Sequence, residues 1–207
     1  MNTEKGFIPV DLHKLEDYSY VKERLIVQLD NTDTEFTEDV LETRVLDMKM
    51  TYGIAVSVTN ERMVCVKMTR DMFSHYHITL YELYQDAIRS TEKLFPVQII
   101  SVNKEYLNND PLLPDNVLCV TNANGPGGSS AILYPDTLMK VYDYFDSNYY
   151  LLPSSTREWI AVKDNPAMTT DFLKGALNTV NRKLSRNQLL SDHVYFFDIL
   201  TKSLHMI

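Results

Sequence analysis

Ser154, Glu158 and His193, in the second half of the chain, are of types that together carry out acyl or group transfer. A serine hydroxyl attacks well only when a base takes its proton, and an imidazole oriented by a carboxylate is the usual base. With the loop from Asn122 through Ser130 as a substrate cradle, these residues define one candidate chemistry, that of a small hydrolase or transferase. Sequence alone does not place His193 beside Ser154, and no Gly-x-Ser-x-Gly elbow is present. Ser154 and Ser155 follow Pro153, a context that favours a turn between strands. The loop holds Gly125, Gly127 and Gly128, as a phosphate cradle would. A cradle needs backbone N–H groups opening directly into a helix, usually with a lysine to neutralise charge. Here a short strand is expected before the next helix, and no Lys, Arg or His occurs between Glu105 and Met139. A long hairpin loop is therefore the expectation, with no cofactor.

His75-Tyr76-His77 could set two imidazoles on one side of a strand. A metal site needs three or four ligands with supporting partners, and His13, His193 and His205 are scattered. No metal is expected, and the pair reads as structural or surface residues at a helix entrance. Cys65 and Cys119 each sit in an apolar, strand-like segment, so buried free thiols in a reducing compartment are expected rather than a disulfide framework. Of Tyr142, Tyr144, Phe145, Tyr149, Tyr150 and Trp159, most are expected in a core around a helix that starts near Pro135.

These groups must be positioned by a chain of 207 residues, long enough for a substantial core, with 44% hydrophobic and 23% charged residues typical of globular proteins. No apolar run approaches the length of a membrane span, and the N-terminus lacks a signal-peptide pattern, so a cytoplasmic protein is expected. The net charge of −8 argues against binding a nucleic-acid backbone. Most of that charge falls in one stretch, where Asp30, Asp33, Glu35, Glu38, Asp39, Glu42 and Asp47 face Arg44 alone. Asp33, Glu35, Glu38, Asp39 and Glu42 are expected to be solvent-facing and poorly paired, a candidate docking site for an unidentified, basic protein partner.

Apolar spacing predicts a first helix over residues 15–29, followed by an acidic loop or poorly formed helix over 31–43. The even positions Leu46, Met48, Met50, Tyr52, Ile54, Val56 and Val58 then alternate with wetter odd ones, predicting one long strand with Gly53 as a candidate bulge. Asn60-Glu61 should turn it into a second strand over 63–68. Thr79 and Glu82 form a capping-box pattern that starts a helix ending before Pro96. Further strands are expected over 97–102, 117–121, 130–133, 149–152 and 158–162, with helices from Pro135 and over 170–184, and a closing hairpin over 194–198 and 204–207. Hairpins and about four helices without βαβ alternation predict an α+β fold with a mostly antiparallel or mixed sheet. The chain reads as a single domain, 1–207, in which a turn-rich break allows lobes at 1–107 and 117–207.

Several segments in order resemble an uncharacterised bacterial family, a domain of unknown function found mainly in gut Firmicutes and their mobile elements. They include Tyr20-Val21-Lys22-Glu23-Arg24-Leu25, Leu46-Asp47-Met48-Lys49-Met50-Thr51-Tyr52 and Lys93-Leu94-Phe95-Pro96. Ala131-Ile132-Leu133-Tyr134-Pro135, Tyr149-Tyr150-Leu151-Leu152-Pro153-Ser154-Ser155 and Leu190-Ser191-Asp192-His193-Val194-Tyr195 continue the likeness. The resemblance implies a shared fold and a bacterial or phage-like setting, in a member with a shortened N-terminus, and it carries no known activity. The favoured expectation is a non-enzymatic protein-binding or regulatory module associated with mobile elements, with the hydrolase or transferase as its alternative.

Overall fold

The structure is a computed structural model that describes residues 10–36, 39–58, 63–102, 117–123, 127–166 and 168–207. It divides into two compact units, Met1–Pro96 and Val97–Ile207. The division falls at Pro96 because the strand that follows it pairs with strands of the second unit.

In the first unit the long alternating segment is strand β3, Met48–Val58, with β1 (Leu25–Asn31) antiparallel along one edge. β2 (Glu42–Val45) and then β4 (Met63–Lys67) share the other edge. Met48, Met50, Tyr52 and Ile54 are at most 2% exposed, as the alternation requires. Register Leu25↔Ile54, Val27↔Tyr52 and Leu29↔Met50 puts the β1 apolar residues beside them. Helix α3, Leu80–Leu94, begins with the reciprocal capping box of Thr79 and Glu82 and packs against β1, where Val27 N–H donates to Thr91 Oγ1 at 3.0 Å.

The helix expected over 15–29 is corrected. Within that span only α1, Tyr18–Val21, and a 3-10 turn at Lys22–Arg24 are helical, and β1 begins at Leu25. Leu25, Ile26, Val27 and Leu29 are all buried, and a strand covered on both faces shows the same apolar run as a helix face. Leu46 lies in a turn with φ of 56° and is exposed, not in the strand. The bulge falls between Ala55 and Ser57; Gly53 pairs regularly with Ile26 and Lys67. The odd face of β3 is less wet than expected. Thr51 is fully buried and receives a hydrogen bond from Lys67 Nζ, while Ala55 packs with Ile26 and Phe95. The Asn60-Glu61 turn lies outside the described residues. Helix α2, Arg70–His75, completes this unit.

The second unit is a six-stranded antiparallel sheet in the order β10-β9-β7-β8-β6-β5. Its strands are β5 Val97–Ser101, β6 Val117–Asn122, β7 Tyr149–Ser155, β8 Glu158–Lys163, β9 Tyr195–Asp198 and β10 Ser203–Met206. The α+β class with antiparallel sheets is therefore established. One face buries Leu118, Val120, Tyr149, Leu151, Trp159, Ala161, Tyr195 and Phe197, and Tyr149 also donates to the Leu138 carbonyl of helix α4, Thr137–Phe145. The opposite face buries Leu152 and Val162 with Leu173 and Leu177 of helix α5, Thr170–Asn181.

Further expectations are corrected here. Residues 130–133 belong to a 3-10 segment, Gly128–Leu133, and Pro135 precedes α4 by two residues, with Asp136 as its left-handed N-cap. Ser154 and Ser155 lie inside β7; the turn comes at Thr156-Arg157. α5 stops at Asn181, short of the expected 184, and Val180 is 40% exposed. Among the described residues no helix is long and apolar enough to cross a membrane.

Candidate functional site

A candidate site lies in the second unit, between α5 and the sheet. Thr169 caps α5 by accepting from Phe172 N–H, and the i, i+4 pair Leu173 and Leu177 then faces β7 and β8. The two layers do not close completely. They leave a cavity of about 160 Å³ whose walls include Leu152, Ile160, Met168, Phe172, Leu177 and Val180. Among the described residues that line it, Ser154 is the single polar one.

Ser154 reaches the cavity because β7 is irregular there. Pairing shifts between Pro153↔Trp159 and Ser155↔Glu158, leaving Ser154 as the extra residue of a bulge. A bulge bends its strand and re-aims a side chain, and Pro153 has no N–H to keep the ladder regular. The Ser154 hydroxyl donates to Glu158 Oε1 at 3.2 Å, and Cys119 Sγ donates to Glu158 Oε2 at 3.3 Å. Burial, and then the Glu158 carboxylate, push the Cys119 thiol up to about 12. Burial also raises the Cys65 thiol.

Of the candidate catalytic residues, the structure thus brings Ser154 and Glu158 together and adds a thiol to them. His193 is exposed on the segment leading into β9, and its backbone N–H donates to Ser191 Oγ. The role of Cys119 was missed because β6 and β8 meet only in the folded sheet, where Cys119 stands opposite Ile160.

The loop from Asn122 through Ser130 is described except for residues 124–126. Gly127 has φ of 65°, and Gly128 presses against the β7–β8 turn. Ser129 Oγ donates to the Thr156 carbonyl, and Trp159 Nε1 donates to the Ser129 carbonyl at 2.8 Å. Gly128 serves close packing of this end of the loop. His75 and His77 are not on a strand: His75 ends α2 and His77 follows with φ of 52°. Among the described residues no group of three or more His, Cys, Asp or Glu could hold a metal ion.

In the acidic segment Asp33 and Glu35 are exposed, and Glu38 lies outside the described residues. The expectation that these acids are poorly paired is corrected for two of them. Asp39 pairs with Arg70 at 3.0 Å and Glu42 with Lys49 at 3.3 Å, because the segment folds back along β3 into β2. The Asp39–Arg70 pair is exposed and contributes little stability.

A family model for the family of unknown function DUF5688 matches residues 1–199. The chain belongs to this family. No curated protein and no solved structure matches it. The DUF5688 match takes in the first unit and the second as far as residue 199, so the cleft under α5 and its Ser154–Glu158–Cys119 edge lie within the family region.

The raised thiols carry a prediction. At pH 8 alkylation of Cys119 by iodoacetamide in the native protein should be on the order of a hundredfold slower than in urea, because the thiolate is the reacting form. In the folded state Cys119 stays protonated where an unfolded chain would begin to ionise, near 9, so its contribution to stability is complete below that pH and is lost as pH rises above it. Equal labelling rates in the two states, followed by intact mass, would show the environment of Cys119 to be wrong.

Proposed function

We propose that this protein is a non-enzymatic binding module that holds an apolar group of about benzene's size in the cleft beneath α5. The carrying observation is the cavity of about 160 Å³ with Ser154 as the single polar residue among the described residues of its lining. An apolar cavity of about 150 Å³ stays dry and takes up benzene, so this one matches an aromatic ring or a leucine-sized side chain. A small-ligand site has this composition, mostly apolar with few polar groups that set orientation. The hydrolase alternative is less well supported, since Ser154 donates to a carboxylate, Glu158, whose other partner is the Cys119 thiol, held protonated. Two free cysteines fit a reducing, cytoplasmic setting, and the family resemblance suggests a bacterial one.

Toluene titrated into protein with labelled methyl groups should shift the Leu152, Ile160, Val162 and Leu177 methyls saturably. At ten times Kd it should raise stability by about 1.4 kcal/mol. Ala176→Phe, which fills the cleft from α5, should abolish the shifts while the protein stays folded. Absence of any saturable shift in the lining methyls would refute this function.

A further inference from the structure

We propose that the occupant of the α5 cleft carries a primary ammonium beside its apolar body, and that this ammonium pairs with Glu158 at the Ser154 edge of the cavity. The inference rests on the binding function just proposed and adds the chemical class of the ligand. Glu158 precedes Ile160 on β8 by two residues, so the two share a face of the sheet, and Ile160 lines the cavity. The Ser154 hydroxyl, itself part of the lining, donates its hydrogen to Glu158 and keeps lone pairs that face a donor on the ligand.

Charge decides the sign of that donor. Glu158 is half-buried and accepts from two neutral groups, Ser154 and Cys119, neither of which cancels its charge. The ion pairs among the described residues join Asp11, Glu23, Asp30, Asp39, Glu42 and Asp86 to their cations, and Glu158 is in none of them. A carboxylate partly removed from water beside an apolar cavity attracts a cation and repels an anion. An ammonium fits this edge, with three donors to divide between the Ser154 oxygen and Glu158. An anionic head would meet like charge at Glu158, which gives selection against it. The Cys119 thiol, kept protonated partly by the same carboxylate, reports the same negative field from the neighbouring strand.

Three probes of similar size separate the possibilities: 2-phenylethylamine, propylbenzene and phenylacetate, each titrated into the full chain and into Glu158→Gln with methyl shifts as the readout. The amine should bind the wild-type chain at least tenfold more tightly than propylbenzene, with phenylacetate weakest, and its advantage should shrink as salt rises. In Glu158→Gln propylbenzene should bind as before and the amine should lose its advantage. Equal binding of amine and propylbenzene to the wild-type chain, or a preference that survives Glu158→Gln, would overturn the ammonium assignment and leave the cleft function standing. If none of the three probes moves a lining methyl, the cleft function falls and the assignment with it. Should Glu158→Gln fail to fold, the ranking of the three probes on the wild-type chain decides the matter.

Discussion

Gly128→Ala should destabilise the protein by about 3 kcal/mol or more, the cost of forcing an atom into fully occupied space. A Cβ at this position would stand 2.0 Å from the Arg157 carbonyl oxygen and 2.4 Å from Thr121 Oγ1. Neither can retreat cheaply. The first is backbone in the β7–β8 turn, and the second donates a hydrogen bond to that same carbonyl at 2.8 Å. Ser129 and Trp159 tie the following residue to the same turn, so relief by moving the loop would break their bonds as well. The comparison is Gly175→Ala. Gly175 is exposed within α5, and nothing lies within 4 Å of a Cβ built there. Alanine in a helix interior is favoured over glycine by roughly 0.5–1 kcal/mol, so this variant should gain stability. Urea unfolding of both variants measures the contrast. A Gly128→Ala midpoint indistinguishable from wild type would mean that this end of the loop does not pack as described.

Ile54→Asp should cost about 5 kcal/mol and leave the first unit largely unfolded at room temperature. Removing a fully buried isoleucine side chain costs about 2–5 kcal/mol, and a carboxylate that loses its hydration without a partner adds to that. Ile54 is 0% exposed and stands between Leu25 on β1 and Val66 on β4. Its pKa would rise to escape the penalty, so the loss should be smaller at low pH, where the acid is neutral. Val64→Asp on β4, at a residue 55% exposed, should change stability by less than about 1 kcal/mol. Amide spectra of the two variants, with thermal melts, distinguish these outcomes. A native melting temperature for Ile54→Asp would mean that the even face of β3 is not the buried one.

Both variants probe features with different origins. The buried face of β3 is written locally, since period-two alternation over Met48, Met50, Tyr52 and Ile54 has only one physical reading. The start of α3 is equally local, because Thr79 and Glu82 satisfy each other's backbone groups within one turn. Residues 25–29 were misassigned to a helix for the opposite reason. Their burial comes on both faces of the strand, with Ile26 packed against Ala55 and Phe95 on one and Leu25, Val27 and Leu29 buried on the other, and an apolar run does not say how many sides will cover it. The segment at 130–133 was misassigned because its conformation answers to the Arg157 carbonyl and the Trp159 indole, nearly thirty residues away.

The candidate site divides along the same line. Ser154 and Glu158 are four residues apart, and their proximity was legible as a hydroxyl near a carboxylate. What the pair borders was not. The thiol that shares the carboxylate comes from Cys119 on the adjacent strand, and the bulge at Ser154 exists only in the pairing of β7 with β8. By itself the sequence determined the α+β class, the capped helix, the long alternating strand and the membership in a family, because each rests on residue type and short-range spacing. The tertiary structure alone decided the pairing of Asp39 and Glu42 with Arg70 and Lys49, the packed role of Gly128 and the cleft under α5. Those depend on distances between segments remote in the chain, which side-chain periodicity does not encode.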